Sequence, residues 1–242
     1  MLILAFETSA KAASAALLEN GKLLGESYQN TGMTHSQTLM VMAEDLLKTA
    51  GKTVRDVEAV AVAAGPGSFT GVRIGVAAAK GFAWGRSLPC CGVSTLEAMA
   101  LSLGAYQGWV CPVMDARRSQ VYNALFYVNR GKLERVTEDR AISLAELGAE
   151  LQEKKETIFL VGDGSILCYN TLSEKVPNLV CPPEHCMHQR ASGVALAAAQ
   201  MIAAGESCDA NALTPNYLRL SQAERERMEK SQVKNKNYKY NL

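Results

Sequence analysis

Short apolar runs separated by turn residues open the chain. Leu2 to Phe6 is apolar and ends on an acid, Glu7. A small polar turn follows, then Ala13 to Leu18, and Glu19-Asn20-Gly21 leads into Lys22 to Tyr28. Runs of this length bounded by such residues read as strands joined by hairpins. The same order returns at Val110 to Met114, Asp115, a turn at Ala116 to Gln120 and a strand over Val121 to Val128. The turn Asn129-Arg130-Gly131 and a strand from Lys132 complete it. Asn-Gly-Lys-Leu at 20–23 matches Asn-x-Gly-Lys-Leu at 129–133; Asp115 follows Glu7 by 108 residues and Lys132 follows Lys22 by 110. A nearly constant long offset points to duplication of a whole unit. Each meander precedes a helical stretch (His35 to Ala50; Ala145 to Lys154) and an apolar strand ending in glycines (Ala59 to Gly67; Ile158 to Gly164). The pattern predicts an α/β chain of two related lobes, residues 1–106 and 107–218, with a boundary near Leu103 to Gly108. A helix at 192–204 is expected to pack back on the first lobe, and 219–242 forms a charged tail.

Two helices of the first lobe are unusual. The first opens with Thr34 and Gln37, a Thr-x-x-Gln capping box, and stops at Gly51. Leu39, Met42, Leu46 and Ala50 form one apolar stripe, while Met40, Ala43 and Leu47 form a second, offset one. One stripe suffices to cover a sheet; a second needs another partner. The next helix carries Gly71, Gly75 and Ala79 at intervals of four, a smooth side that permits close backbone approach. Glycines there cost about 1 kcal/mol each relative to alanine. Packing within the lobe and packing against another chain both satisfy this pattern.

With 48% hydrophobic and 20% charged residues over 242, the composition is that of a soluble globular protein. A formal net charge of +1 gives no global argument for nucleic-acid binding. The N-terminus lacks a basic stretch and no apolar run reaches membrane-spanning length, so neither a signal peptide nor a membrane span is expected. Seven scattered cysteines without a C-x-x-C suggest reduced thiols in a cytosolic protein.

The richest segment is Gly65-Pro66-Gly67-Ser68-Phe69-Thr70-Gly71-Val72-Arg73-Ile74-Gly75, between a strand and a helix. Such a loop could hold a phosphate on its backbone amides. Yet Val72 and Arg73 stand where a Walker loop needs Lys and Ser or Thr, and G-x-G-x-x-x-G is one residue too long for the dinucleotide fingerprint. Cys181, His185, Cys186 and His188 gather potential zinc ligands, but the spacing matches no common zinc pattern and a proline-stiffened loop accounts for it. Asp115, Arg117 and Arg118 sit at a strand end facing the cleft between lobes, as a phosphate or partner contact or as an exposed turn. His35 reads as a capping or interface residue, since no nucleophile motif accompanies it. Lys230, Lys234, Lys236 and Lys239, interleaved with Tyr238 and Tyr240, suit a mobile tail or an RNA backbone contact.

Phe6-Glu7-Thr8-Ser9, the glycine segment, Gly92-Val93-Ser94-Thr95-Leu96-Glu97-Ala98 and Asp115-Ala116-Arg117-Arg118 together resemble the bacterial TsaB (YeaZ) family. The motifs fall in family order over the first half of the chain. The resemblance implies an actin-like (ASKHA, ribonuclease H-like) fold of two duplicated lobes and a role in forming threonylcarbamoyladenosine in tRNA. It also implies a non-catalytic subunit that activates the paralogue TsaD, with a TsaE-like ATPase completing the set. The paralogue's metal-holding His-x-x-x-His aligns with Thr95 and Met99, and its Cys-Asp-Glu-Thr with Ala10-Lys11-Ala12-Ala13. Hence no catalytic residue, cofactor or metal is expected on this chain; ATP and metal belong to partner subunits, and tRNA is reached through the complex. The expected partner contact is His35, Ser36, Leu39, Met40, Ala43, Leu47, Val72, Arg73, Val76, Ala79 and Lys80. Alone, the same surface should pair with itself as a homodimer in the cytoplasm. The competing reading is an active actin-like ATPase or a glycoprotease-like metallopeptidase; a regulator of other proteins is a third.

Overall fold

The computed structural model describes residues 1–103 and 107–219. The first sheet is built from β1 (Leu2–Glu7), β2 (Ala13–Glu19), β3 (Lys22–Gln29), β4 (Ala59–Gly65) and β5 (Cys90–Ser94), in the order β3-β2-β1-β4-β5. β1, β2 and β3 form an antiparallel meander, and β4 and β5 continue in parallel with β1. Both faces of β1, β2, β4 and β5 are covered, which is why these strands are mostly apolar, whereas the edge strand β3 is half polar and partly exposed. Leu2, Leu4 and Phe6 point to one face, beneath α1 (His35–Thr49) and α2 (Phe69–Trp84). Ile3 and Ala5 point to the other.

After α3 (Thr95–Ser102) the chain enters the second lobe at β6 (Gly108–Asp115). β7 (Gln120–Asn123) pairs with the last half of β6 and β8 (Phe126–Asn129) with its first half. The single strand expected over Val121 to Val128 is thus broken in two. Pro112 in β6 has no N–H to offer at the switch point, and the Asn123 side chain occupies the gap, its Nδ2 donating to the Pro112 and Ala124 carbonyls at 3.0 and 3.1 Å. β9 (Lys132–Arg135), β10 (Arg140–Ser143), β11 (Ile158–Val161) and β12 (Leu179–Val180) complete the sheet, with α4 (Leu144–Gln152) and α5 (Ser165–Leu172) over one face. The short α6 (Glu184–Met187) leads to α7 (Ala191–Ala203). α7 returns to the first sheet and fills its second face with Ala191, Val194, Ala195 and Ala198. It crosses α3 so closely that a Cβ on Gly193 would stand 2.0 Å from the Ala98 carbonyl oxygen. α3 in turn packs Leu96, Met99 and Leu103 on the second sheet, so α3 and α7 join the lobes.

Helix α1 corrects one expectation. Thr34 is its N-cap, but its side chain makes no capping bond; the capping boxes form instead at Thr53/Asp56 and Ser143/Glu146. The C-terminal stop holds: Gly51 is left-handed (φ 66°) and Lys52 N–H donates to the Leu47 carbonyl, a Schellman closure. Residues 220–242, with the four tail lysines, lie outside the described residues.

Candidate functional site

β1 and β4 of one lobe and β6 and β11 of the other end at a cleft of about 540 Å³, the position where open α/β sheets bind ligands. Ser9, Lys11, Gly67, Ser68 and Thr70 form one wall, Asp115, Arg117, Tyr122 and Asp163 the other. A larger hollow of about 710 Å³ lies against α4 and α5, with Arg118 on its rim. Asp115 borders both hollows, and Asp163 lines the cleft.

On the first wall the glycine segment closes on the chain itself. Gly67 is so near Ser9 that a Cβ would meet the Ser9 carbonyl oxygen at 2.5 Å; for Gly71 the Thr8 oxygen would be 2.1 Å away, and for Gly75 the Thr8 hydroxyl 2.4 Å. Ser68 N–H donates to the Ser9 carbonyl at 2.6 Å, and the Thr8 hydroxyl to the Gly71 carbonyl at 2.8 Å. The Gly71, Gly75, Ala79 side of α2 therefore faces its own lobe. The glycines admit the Glu7-Thr8-Ser9 turn, and two of the amides that could have cradled a phosphate, those of Ser68 and Gly71, are bonded within the chain.

That turn is wholly buried. Glu7 accepts the Ser9 N–H at 2.5 Å through Oε1, while Oε2, the Ser9 hydroxyl and the Thr95 hydroxyl find no hydrogen-bond partner among the described residues. Burial pushes the Glu7 carboxyl up to about 7, against the lowering effect of the Ser9 N–H bond, and the charge of Asp163 raises it further. Asp163 is itself reached by solvent, yet protein surrounds most of it. That partial desolvation raises its carboxyl too, opposed by the Gln189 amide, which donates at 3.1 Å. Neither Glu7 nor Asp163 stood out in the sequence as a candidate. A carboxylate closing an apolar strand was the only available signal.

Thr95 and Met99 lie one helical turn apart on α3 and are wholly buried, Met99 within the apolar cluster between α3 and the second sheet. A hydroxyl and a thioether in that setting do not fit a hard divalent ion, and no reaction step passes through one. Among the described residues no three His, Cys, Asp or Glu side chains converge on a point that could hold metal, the 181–188 loop included. Asp115 and Arg117 reach the cleft from an exposed turn in which Asp115 accepts the Arg117 N–H at 2.7 Å. Arg117, Arg118 and Ser119 are all left-handed, with φ of 63°, 57° and 56°.

The expected partner residues divide. Leu39, Ala43, Leu47, Val72, Val76 and Ala79 are buried in the first lobe's own core. Ala43 and Leu47 of the second stripe of α1 are covered from within, and Met40 is left in solvent. Arg73 donates to the Tyr217 hydroxyl at 2.8 Å and lies 3.8 Å over the Phe69 ring, which stacks on Tyr217; Lys80 donates to the Asn211 and Leu213 carbonyls. His35 is half-buried, its Nε2 2.8 Å from the Ala10 carbonyl oxygen, and only Ser36 and Met40 of the set face solvent without such ties. Exposed apolar side chains continue from Met40 to Val41 and Ala77, with Trp84 60% exposed at the end of α2. Tyr217 was missed because its partner Arg73 is 144 residues away, with no local pattern to connect them.

Among known proteins, the family described as "TsaD: tRNA N6-adenosine threonylcarbamoyltransferase" matches residues 28–227. The tRNA threonylcarbamoyladenosine biosynthesis protein TsaB of Bacillus subtilis is 33% identical over 225 residues, 93% of this chain and 96% of that one. Its namesake in Escherichia coli is 33% identical over 222 residues, 90% of this chain and 95% of the other. A Pseudomonas aeruginosa crystal structure described as similar to peptidase YeaZ superimposes with a TM-score of 0.75 at 28% identity, covering 90% of this chain and 99% of that one. No helix among the described residues is long and apolar enough to cross a membrane. Two duplicated α/β lobes, a cleft at their strand ends and likeness over nine-tenths of the sequence agree: the chain has the actin-like fold and belongs to the TsaB (YeaZ) family.

Proposed function

We propose that this chain is a non-catalytic scaffold subunit of tRNA threonylcarbamoyladenosine biosynthesis, which binds and activates a TsaD-like threonylcarbamoyltransferase in the cytoplasm. The observation that carries the reading is the filled interior at Thr95 and Met99, where an acyl-transfer enzyme of this kind would need metal ligands. The glycine segment, folded onto Thr8 and Ser9, supports the same conclusion, because it leaves little of the backbone free to grip a nucleotide. ATP and metal then belong to the TsaD-like and TsaE-like partners, and tRNA is engaged by the assembly. The docking face is the outer side of α1 and α2, from Ser36 and Met40 to Ala77 and Trp84, whose apolar side chains stay in solvent. In isolation that face pairs with its own copy.

Co-expression with the TsaD-like protein of the same genome tests this. Met40→Asp or Ala77→Asp is expected to abolish co-purification and modification activity while the thermal midpoint of the isolated chain holds, because both positions are exposed. Undiminished modification with either variant, or with the chain left out, would reject the scaffold. Tight ATP binding or peptidase turnover by the isolated chain would restore the enzymatic reading.

A further inference from the structure

After α7 the chain runs back along the first lobe as a strap, residues 208–219. Asn216 N–H donates to the Ala64 carbonyl, Tyr217 stacks on Phe69, and Arg219 reaches across the cleft to the Ala116 carbonyl at 2.8 Å. The strap begins at Cys208, which forms an isolated antiparallel bridge with Cys90 of β5. Each backbone N–H donates to the other residue's carbonyl, at 2.8 and 2.9 Å. Directly opposed residues of an antiparallel pair carry their side chains on one face, and both thiols belong to the core beneath α1 and α2. Cys91 points the other way, its Sγ 4.0 Å from the Ala198 carbonyl oxygen on α7. In such a hydrogen-bonded pair the Cα atoms stand about 5.5 Å apart, within the range of about 4.4–6.8 Å that a disulfide spans.

We propose that Cys90 and Cys208 are a modification site: a small disulfide of the glutathione type oxidises them to a reversible disulfide that bolts the strap to β5. The Cys208 thiolate, only partly buried, attacks one sulfur of the oxidant and expels a thiolate. The Cys90 thiolate then attacks the Cys208 sulfur of the mixed disulfide and expels the second. The protein loses two hydrogens, and the oxidant departs as two thiols. Opposed Cβ atoms in a cross-strand pair lie about 4.5–5.5 Å apart, against about 3.5–4.5 Å in a relaxed disulfide. Closure therefore draws the strap inward, and the resulting bond is easily reduced, the character of a labile bridge. Burial raises both thiols, Cys90 to about 11, so exchange is slow at neutral pH and quickens as pH rises. The segment held in place is the one that engages Arg73 and Lys80 of α2.

The full chain incubated with oxidised glutathione at about pH 8.5, where more thiolate is present, gives the test. The expected product is lighter by two hydrogens and yields a tryptic peptide containing Cys90 linked to the one containing Cys208. The link persists in Cys91→Ser and Cys111→Ser and is absent in Cys90→Ser and Cys208→Ser. Chymotryptic cleavage at Leu213 and Tyr217 slows in the oxidised protein and recovers with dithiothreitol. A stable glutathione adduct without the link, a link from Cys208 to Cys91 or Cys111, or no reaction would overturn the proposal. So would a correct link that leaves strap cleavage unchanged.

Discussion

At the end of β1 the chain turns through Glu7, Thr8 and Ser9, all three wholly buried; at the matching end of β6, Asp115, Arg117 and Arg118 stand in solvent. The two turns occupy equivalent places in the duplicated lobes. The first is held by a glycine-rich helix start pressed against it; the second is an open loop in which the Arg117 N–H donates to the Asp115 carboxylate and the Ala116 N–H to the Gln120 carbonyl. Duplication supplied two copies of a strand-end carboxylate, and packing decided what each became. Around Glu7 the small residues closed in and the carboxyl became part of the interior. Around Asp115 the small residues Gly162 and Gly164 pack on the strand behind the turn, at Val113, Met114 and the Asp115 amide, and the turn keeps its charges beside the cleft.

Substitutions can widen or erase that difference. The largest effect is expected from Gly71→Ala, whose Cβ would sit 2.1 Å from the Thr8 oxygen. A loss of about 4 kcal/mol or more in denaturant unfolding follows from such a backbone clash, whereas Arg117→Ala in the open turn should change stability by less than about 0.5 kcal/mol. Next comes Glu7. Its folded carboxyl, raised to about 7 from 4.5, binds protons more tightly than the unfolded one. Stability is then greatest below the unfolded value and declines as pH rises to about 7. Glu7→Gln should remove this decline and add about 3 kcal/mol near pH 8. A pH profile of unfolding that is flat for wild type would contradict it. A smaller effect than those of Gly71→Ala and Glu7→Gln belongs to the strap between the turns: Tyr217→Ala loses the Phe69 stack and the Arg73 bond, about 1 kcal/mol. Faster proteolysis after α7 would report it.

Much of this architecture is legible in the alternation of apolar and polar positions. The matching Asn-Gly-Lys-Leu turns mark both hairpins, and the apolar stretches of β1 and β4 mark strands buried on both faces. What the pattern leaves open is which surface covers a given stripe. Ala43 and Leu47 read the same whether α2 or another protein lies over them, because periodicity records apolar character and not its neighbour. The break between β7 and β8 needed the side chain of Asn123 and a proline on the facing strand, a pairing that neither segment reveals alone. Glu7 was visible as a strand-end acid, but its titration depends on how tightly Thr8 and Ser9 are enclosed by residues more than fifty positions away.

The return of α7 to the first sheet has a consequence for biosynthesis. Ser14 and Glu26 of the opening meander hold the first amides of that helix, those of Ala191 and Ser192, and its alanines seal the sheet's second face. A ribosome delivers these residues only after the whole second lobe has emerged. The first sheet is therefore finished only after the second lobe has been made, and any nascent fragment ending before residue 191 carries an unsealed apolar sheet that a chaperone would be expected to shield.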